Sequence, residues 1–235
     1  MVRGVVRWAA LVLAAFVVAS VVGVGVYRWV DPPLTPLMIL RALEARAAGR
    51  PARVTRYPVG LDAVSATLLR AVVVAEDARF FEHRGVDLDA LRRAAEYNAR
   101  HAGRRLRGAG TITMQCARNL FLWPGRSYLR KALEIYFAQL LELMWGKRRI
   151  LEVYLNVAEW GDGVYGVEAA ALTYFRVPAS RLGADQAALL AAALPDPRDW
   201  NPAVPTPYLA GRAAIIASRA TRVRLDGLGA RGGPG

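Results

Sequence analysis

Residues 76–87 read EDARFFEHRGVD. They follow an apolar segment in which Val64, Leu68, Leu69, Val72 and Val73 recur at helical spacing. A carboxyl group at the end of such a segment has its charged form desolvated, which raises its pKa toward the range that a general base or acid needs. Glu76 is therefore a candidate catalytic residue. An isolated Glu-Asp pair can also be an ordinary solvated pair at the surface. The rest of the sequence must therefore decide between a catalytic and a surface role.

Toward the N-terminus, residues 8–27 form a stretch of 20 residues without a charge. A helix of this length spans about 30 Å, which matches the hydrocarbon core of a bilayer. Trp8 and Trp29 flank it, where aromatic rings favour the headgroup region. Arg3 and Arg7 precede it, so the positive-inside rule puts the N-terminus in the cytoplasm and the rest of the chain outside. A cleaved signal peptide is the alternative, but the apolar stretch is longer than a usual h-region.

The charge of the chain is strongly basic. There are 32 Lys and Arg against 19 Asp and Glu, and the basic excess after residue 30 is still ten. Such a surface suits nucleic acid, anionic lipid or a phosphorylated substrate. With 54% hydrophobic and 22% charged residues, intrinsic disorder is excluded for most of the chain. A single cysteine, Cys116, and two histidines exclude an intramolecular disulfide and a Cys/His zinc site.

The part after residue 30 is predicted to be mainly helical, with Gly- and Pro-rich breaks between helices. No alternating strand pattern of any length is present, apart from one short extended piece at 53–59. Helices are predicted at 36–49, 62–77, from 87 onward, 111–120, 127–145, 147–156, 167–175, 184–194 and 207–224. The segment 103–110 contains three Gly and three Arg, which predicts a mobile basic loop.

Several segments resemble one family. Residues 108–119 read GAGTITMQCARN, residues 130–134 read RKALE, and residues 147–156 read KRRILEVYLN. Together with 76–87, they resemble, in order, the four motifs of the peptidoglycan glycosyltransferases, glycosyltransferase family 51. The first motif matches at seven positions: Glu76, Asp77, Phe80, Phe81, His83, Gly85 and Asp87. The resemblance covers roughly residues 61–202 and is closest to the monofunctional branch, because the chain ends where a penicillin-binding domain would otherwise begin.

The resemblance implies a lysozyme-like, two-lobed helical domain behind a single N-terminal transmembrane helix. We expect a cytoplasmic stub and transmembrane helix at 1–30, a membrane-proximal segment at 31–60, the glycosyltransferase domain at 61–224 and a disordered tail at 225–235. The implied location is the bacterial cytoplasmic (inner) membrane, with the domain in the periplasm or outside. The loop at 103–110 would be disordered without substrate and close over a bound chain.

The implied reaction is the polymerisation of lipid II. The lipid-linked growing chain is transferred, with inversion, to the C4 hydroxyl of lipid II, and undecaprenyl diphosphate leaves. The resemblance makes Glu76 the general base and Glu134 the second essential carboxylate, near the diphosphate. This parallels an inverting glycosidase, in which two carboxyl groups flank the anomeric carbon. A cleft lined by Glu76, Glu134, Lys131 and Arg118 is expected.

The expected substrate-binding residues are mostly cationic. Arg130 and Lys131 lie four and three residues before Glu134, so both can reach its face of a helix. Lys131 and Lys147 are the only lysines beside 30 arginines, which indicates sites that need a compact charge rather than a planar fork. The other candidates are Arg118, Gln115, Thr111, Asn119, Arg126, Asp77 and Phe80.

Other residues of the motifs are expected to be structural. Glu152 would pair with Arg148 at i, i+4, Asn156 would shape a turn, and His83 would be hydrogen-bonded. The chain also departs from the family pattern: Gly110 replaces a Ser, Met114 a Gln, Arg118 a Lys and Gln186 a Glu. Both catalytic carboxylates are unchanged, so an active enzyme is expected.

The implied partners are lipid II, undecaprenyl-diphosphate-linked glycan and the bilayer, together with proteins of cell-wall synthesis and division, and no nucleic acid. No cofactor is expected to be required. The sequence contains no dedicated metal cage, although acids near the diphosphate could hold Mg²⁺ through waters.

Two other classes of function stay open at this point. A lysozyme-like hydrolase or lytic enzyme would also use two carboxylates, but it explains neither the anchor nor the cations around Glu134 as well. A non-catalytic basic scaffold or nucleic-acid binder would use the charge alone. Incubation with lipid II separates the three, by polymer, degraded glycan or no change.

Overall fold

A computed structural model describes residues 2–101, 108, 110–125 and 127–229. Its helices are α1 (Val2–Tyr27), α2 (Pro36–Ala47), α3 (Ala66–Glu76), α4 (Leu88–Arg100), α5 (Ile112–Phe121), α6 (Tyr128–Met144), α7 (Lys147–Val157), α8 (Val167–Phe175), α9 (Ala184–Ala193) and α10 (Pro207–Ala220). The strands are β1 (Thr55–Arg56), β2 (Glu159–Gly161) and β3 (Val164–Tyr165). The prediction of a mainly helical fold is confirmed.

Side-chain caps decide where most helices begin. Six helices follow a Ser, Thr or Asp whose side-chain oxygen accepts a hydrogen bond from the backbone N–H three residues later, at Thr35, Ser65, Asp87, Thr111, Ser127 and Thr206. Each cap satisfies a donor that the first helical turn leaves unpaired. The prediction of one helix over 62–77 was too long, because Ser65 caps α3 and the preceding Leu61–Ala63 forms a separate 3-10 turn.

The small sheet was only partly predicted. β1 lies within the extended piece expected at 53–59 and pairs in parallel with β3, while β2 pairs with β3 in an antiparallel hairpin. Strands of two or three residues are too short to show an alternating pattern. The hairpin turns at Gly163, whose φ of 73° suits glycine, and its position beside the Arg53 carbonyl leaves no room for a side chain.

The helices pack in two groups around one continuous apolar core. The first group contains α3, α9 and α10, and the second contains α5, α6 and α7. Trp160, Tyr154 and Phe80 are among the largest side chains buried in the core. Fully burying an apolar side chain of this kind contributes about 1.5–3 kcal/mol, so the shared core holds the two helix groups together.

Helix α1 is long and apolar enough to cross a membrane. Its first half is exposed, whereas its second half lies on α6. The indole of Trp145 donates a hydrogen bond to the Val24 carbonyl at 2.8 Å, and Arg149 donates to the Tyr27 carbonyl at 3.0 Å. Phe16 contacts the ring of Tyr136, with 5.6 Å between ring centroids. These contacts fix the end of the apolar helix against the folded domain.

Two residues of the fourth motif, Asn156 and Glu152, were predicted to be structural, and their contacts agree with the prediction in part. Asn156 bonds through its amide to the backbone of Val59 in both directions, at 3.0 and 2.8 Å, as a structural residue should. The pairing expected for Glu152 was wrong. Its carboxylate accepts from Arg149 at 2.5 Å and from the Leu61 N–H at 2.9 Å, because the turn before α3 packs against α7. Arg148 instead pairs with Asp62 at 2.6 Å.

The first part of the predicted tail at 225–235 is packed. Asp226–Leu228 forms a 3-10 turn, and Leu228 is buried in the core. Gly227 lies directly against the ring of Phe81. Burial of the Leu228 side chain explains why residues 226–228 pack against the domain. Residues 230–235 lie outside the described residues, as does most of the loop predicted at 103–110.

The turn at Gly163 gives a test of the fold. Gly163→Ala should lower the free energy of unfolding by about 2–4 kcal/mol, because a positive φ strains alanine and the new Cβ would lie about 2.8 Å from the Arg53 oxygen. Gly49→Ala is the matched control: its φ is 69° but no atom lies within 4 Å, so about 1–2 kcal/mol is expected. Denaturant unfolding in detergent measures both, and equal losses would contradict the packing of this turn.

Candidate active site

Glu76 is the last residue of α3 and points into the region between the two helix groups. Its Oε2 accepts a hydrogen bond from the Gln115 amide at 2.8 Å. Burial raises the pKa of Glu76, while the hydrogen bond from Gln115 and the charges of Arg212 and Arg118 act in the opposite direction. The carboxyl group is thus oriented and more basic than usual, as the sequence predicted for a general base.

The orientation of Gln115 is itself fixed. The hydroxyl of Tyr154 donates to its Oε1 at 3.3 Å, so its NH₂ group faces Glu76. Tyr154 is fully buried, and this burial, followed by the charge of Glu76, raises the pKa of the phenol. The tyrosine therefore stays protonated and keeps its donor role. A chain of hydrogen bonds runs from Tyr154 through Gln115 to Glu76.

Asp77, expected to bind substrate, has internal partners on both sides. Its carboxylate accepts from His83 Nε2 at 2.9 Å and from the Ile112 N–H at 3.0 Å. Thr111, another expected substrate-binding residue, donates its hydroxyl to the Gly85 carbonyl at 2.5 Å. These bonds tie the segment 76–87 to the start of α5. The structural role predicted for His83 agrees with this geometry.

Lys147 and Phe80 also face inward. Phe80 is fully buried, and the Lys147 ammonium lies 4.6 Å from its ring centroid. Lys147 donates to the His83 carbonyl at 2.7 Å and to Glu142 Oε1 at 2.6 Å. A compact ammonium fits this three-sided site better than a planar guanidinium. The retention of a lysine at position 147 therefore has a structural explanation in its contacts with His83, Glu142 and Phe80.

Glu134 forms a second acidic centre on α6. Its side chain is only 5% exposed, and Arg130 bonds to Oε1 while Lys131 Nζ lies 3.3 Å from Oε2. The two cations reach the same face of the helix, as their spacing predicted. Burial, then the neighbouring charges of Arg130 and Arg118, lowers the pKa of Lys131. The cluster is a carboxylate covered by two cations.

Arg118 connects the two centres electrostatically, since its charge acts on both Glu76 and Lys131. Together with Gln115, Asn119 and Tyr154, it lines a cavity of about 260 Å³ that extends to α2 and β2. A neighbouring cavity of about 390 Å³ is lined by Glu76 and the residues after it. The first cavity is thus lined by Gln115 and the second by Glu76, whose carboxylate contacts Gln115, and Glu134 lines neither of these two. Arg118 and Glu76 line different cavities, and Lys131, like Glu134, lines neither of them, so the cleft expected to be shared by these four residues is not formed by either cavity.

Some residues near the site had no signal in the sequence. Arg212 of α10 acts on Glu76 more strongly than Arg118 does, and its Nε donates to the Ala192 carbonyl at 3.2 Å. Arg41 and Glu159 line the cavity from α2 and β2. Only packing brings these distant segments to the site. Arg126 lies outside the described residues, and the part of the chain that the structure covers holds no cluster of three His, Cys, Asp or Glu side chains suited to a metal.

Comparison with known proteins identifies the family. A family model described as Transglycosylase matches residues 44–221. A biosynthetic peptidoglycan transglycosylase of Rhodospirillum centenum is 51% identical over 230 residues, which cover 98% of this chain and 96% of the relative. The proteins of the same name from Caulobacter vibrioides and Pseudomonas syringae are 48% and 47% identical, covering 93% and 96% of this chain and 93% and 95% of their own lengths. The chain therefore belongs to the transglycosylase family, and it is a peptidoglycan glycosyltransferase with a mainly helical, lysozyme-like domain.

Proposed function

We propose that this transglycosylase elongates glycan by general-base catalysis at Glu76. The proposal rests on the half-buried Glu76 carboxylate, whose pKa is raised by burial and whose orientation is fixed by Gln115. In the proposed step, the C4 hydroxyl oxygen of lipid II bonds to C1 of the lipid-linked chain, with inversion. The bond from C1 to the phosphate oxygen breaks, undecaprenyl diphosphate leaves with the electron pair, and the hydroxyl proton moves to Glu76.

The cations around Glu134 have a separate role in this proposal. Lys131 and Arg118 stabilise the negative charge that develops on the leaving diphosphate, and buried Glu134 holds Arg130 and Lys131 in position. Both oxygens of Glu134 already face cationic side chains, so a Mg²⁺ ion here would be held by substrate oxygens and water. We infer that no cofactor is required.

The membrane arrangement supports the same reaction. Arg3 and Arg7 lie at the free end of α1, which favours a cytoplasmic N-terminus and, with it, a domain on the outer side of the cytoplasmic membrane. The second half of α1 packs on α6, so the domain is held at the bilayer surface. A lipid-linked sugar that stays in the bilayer can then reach Glu76.

The decisive experiment is incubation of the full-length chain with labelled lipid II in detergent micelles or liposomes. Polymer supports the proposal, and degraded glycan would indicate a hydrolase or lytic enzyme. An unchanged substrate would contradict both forms of catalysis.

Glu76→Gln tests the general base. The amide keeps the shape of the side chain, so lipid II should still bind, but polymerisation should fall by about 10²–10⁴, the usual contribution of a positioned base. Glu82→Gln is the matched control, because Glu82 lies in the same motif with its side chain 63% exposed. Rates and binding of labelled lipid II measure both variants, and wild-type polymerisation by Glu76→Gln would remove the assignment.

The raised pKa of Glu76 predicts a pH-dependent effect on stability. A carboxyl whose pKa is higher in the folded than in the unfolded protein contributes stability that is present below the unfolded pKa and lost as pH rises through the folded pKa. Glu76→Gln removes this loss. The melting temperature of the variant relative to wild type should therefore increase as pH rises through that interval. A difference that does not vary with pH would show that the folded protein leaves the carboxyl pKa unchanged.

Two substitutions test the cation cluster. Lys131→Arg should clearly reduce polymerisation, because Glu134 Oε2 faces a compact ammonium and Arg130 already occupies Oε1. Glu134→Gln should change both turnover and the binding of moenomycin, an inhibitor that mimics the diphosphate. Polymerisation assays and inhibitor titrations measure these effects.

Melting temperatures provide the control, because removing one partner of a buried ion pair destabilises a protein by about 3–5 kcal/mol. A loss of activity by Lys131→Arg at an unchanged melting temperature supports a role in substrate binding. Full activity of Lys131→Arg would show that the cation at this position does not need the shape of lysine.

A further inference from the structure

A groove of about 550 Å³ lies between α3 and α10, and it shares no lining residue with the two cavities of the active site. Val74 and Ala75, the two residues before Glu76 in α3, form one side of the groove. Arg212 of α10 lines the other side, and its charge acts on Glu76. The groove therefore borders the proposed base, although the proposed reaction uses none of the residues that line it.

The groove is apolar and basic at the same time. Tyr208 and Ile215 line it with side chains that are 66% and 55% exposed. Arg212 and Arg219 line it as well, and none of its described lining residues is acidic. The sequence from 200 to 225 contains four Arg and no Asp or Glu. An exposed apolar surface that carries two cations suits a ligand with both apolar groups and negative charges.

Both arginines of the groove are able to bind a carboxylate. Within the described residues, the side chain of Arg212 makes one hydrogen bond, from Nε to the Ala192 carbonyl at 3.2 Å. This bond orients the guanidinium and leaves its two NH₂ groups for a ligand. Arg219 is exposed and forms no ion pair with a described residue. A guanidinium binds a carboxylate through two parallel hydrogen bonds, so each arginine suits one carboxylate of a ligand.

The spacing of the two arginines indicates an extended ligand. Arg212 and Arg219 are seven residues apart in α10, which corresponds to about 10 Å along the helix axis. An extended peptide covers this distance with about three residues. A short peptide with two carboxylates therefore has the length that the groove requires.

Gly211 keeps the groove open between its walls. It lies inside α10 and lines the groove, and a Cβ at this position would meet no atom within 4 Å. Its backbone is helical, so neither packing against the described residues nor backbone conformation requires glycine here. Glycine inside a helix lowers the stability of the helix relative to alanine. Space for a ligand is a physical reason for glycine at this position.

The substrate of the proposed reaction carries a peptide of this kind. Lipid II is a disaccharide-pentapeptide on a lipid diphosphate, so the disaccharide whose hydroxyl reacts at Glu76 brings a peptide with it. Such a peptide ends in a carboxylate and presents apolar side chains as well. A bilayer does not fit the position of the groove, because α10 packs on α3 and α9 whereas the apolar helix α1 packs on α6.

We propose that the groove between α3 and α10 binds the peptide of the lipid II molecule whose C4 hydroxyl reacts. Arg212 and Arg219 bind carboxylates of that peptide, and Tyr208 and Ile215 pack against its apolar groups. This inference rests on the proposed function and deepens it, because it assigns recognition of the substrate peptide to α10, outside the four motifs.

The test compares lipid II with an analogue that lacks the peptide, using the full-length protein. Arg219→Gln should raise the KM for lipid II by about 3- to 10-fold, as expected for the loss of one partly exposed charged hydrogen bond, and should leave the KM for the peptide-free analogue unchanged. Arg212 is left intact, because its charge also acts on Glu76.

Arg222→Gln is the matched control for Arg219→Gln. Arg222 lies three residues further along the chain and is also exposed, but it does not line the groove. It should keep both KM values of the wild type. An unchanged KM for lipid II in Arg219→Gln, equal effects of the two substitutions, or an equal loss with both substrates would overturn the proposal.

A second analogue, whose peptide carboxylates are converted to amides, tests the charge. Wild type should bind this analogue more weakly than lipid II, and Arg219→Gln should distinguish the two less than wild type does. The same degree of discrimination by both proteins would contradict a contact between Arg219 and a carboxylate.

Filling the groove provides an independent variant. Gly211→Leu places a side chain in open space, so it should keep the melting temperature while raising the KM for lipid II and not that for the peptide-free analogue. Ala210→Leu is its control, because Ala210 is exposed in the same helix and does not line the groove. Wild-type KM values for a folded Gly211→Leu would overturn the proposal, and Arg219→Gln decides if that variant does not fold.

Direct binding separates this inference from general-base catalysis. Glu76→Gln, alone and combined with Arg219→Gln, is titrated with labelled lipid II and with the peptide-free analogue, so that chemistry does not enter the measurement. A preference for lipid II that is reduced in the combined variant supports the groove even if the base assignment fails. A preference that both forms keep in full, or that neither form shows, overturns the groove and leaves general-base catalysis at Glu76 untouched.

Discussion

The buried carboxylate of Asp77 is the interaction on which the site depends. It accepts from His83 within the segment 76–87 and from the first N–H of α5, which belongs to the other helix group. Because a buried carboxylate is costly without partners, these bonds fix the end of α3 against the start of α5. Glu76 directly precedes Asp77 and is thereby held within hydrogen-bonding distance of Gln115. In our proposal Glu76 takes part in the reaction, whereas Asp77 only fixes the position of Glu76.

The two acidic centres are tuned in different ways. At Glu76, burial disfavours the charged form and only one neutral hydrogen bond and two more distant cations oppose it. At Glu134, two cations cover the carboxylate directly. The first arrangement suits a group that takes up a proton, and the second suits a group that stays ionised and holds cations in place. The charge of Arg118 acts on Glu76 in the first centre and on Lys131 in the second.

Helix α1, which is long and apolar enough to cross a membrane, also packs on the folded domain. Val24 and Tyr27 accept hydrogen bonds through their carbonyls from Trp145 and Arg149. Backbone carbonyls near the end of a helix lack intrahelical partners, so these bonds favour one orientation of α1 against α6. A substrate that is itself tethered in a bilayer benefits from an enzyme held at a defined height and angle.

Much of the fold followed from sequence, and the residues of the proposed site were selected there as a prediction. The capping residues and apolar spacing located most helices, because those signals are local, and the four motifs selected Glu76, Glu134, Lys131 and Gln115. The short strands, the packing of Leu228 and the partner of Glu152 were missed or wrong, because each depends on contacts between distant segments. A two-residue strand has too few residues to display a period.

What the sequence alone determined is the chemistry available: an apolar anchor, two acids in apolar or cationic surroundings, and an excess of arginine. Only the tertiary structure decided which of those groups face a ligand. It turned Lys147, Phe80 and Asp77 inward, and it brought Arg212 toward Glu76 and the pair Arg41 and Glu159 to a shared cavity. The physical reason is that burial and pairing depend on which helices pack together. The periodicity of a segment shows which of its faces is apolar, but it does not show which residues of another segment contact that face.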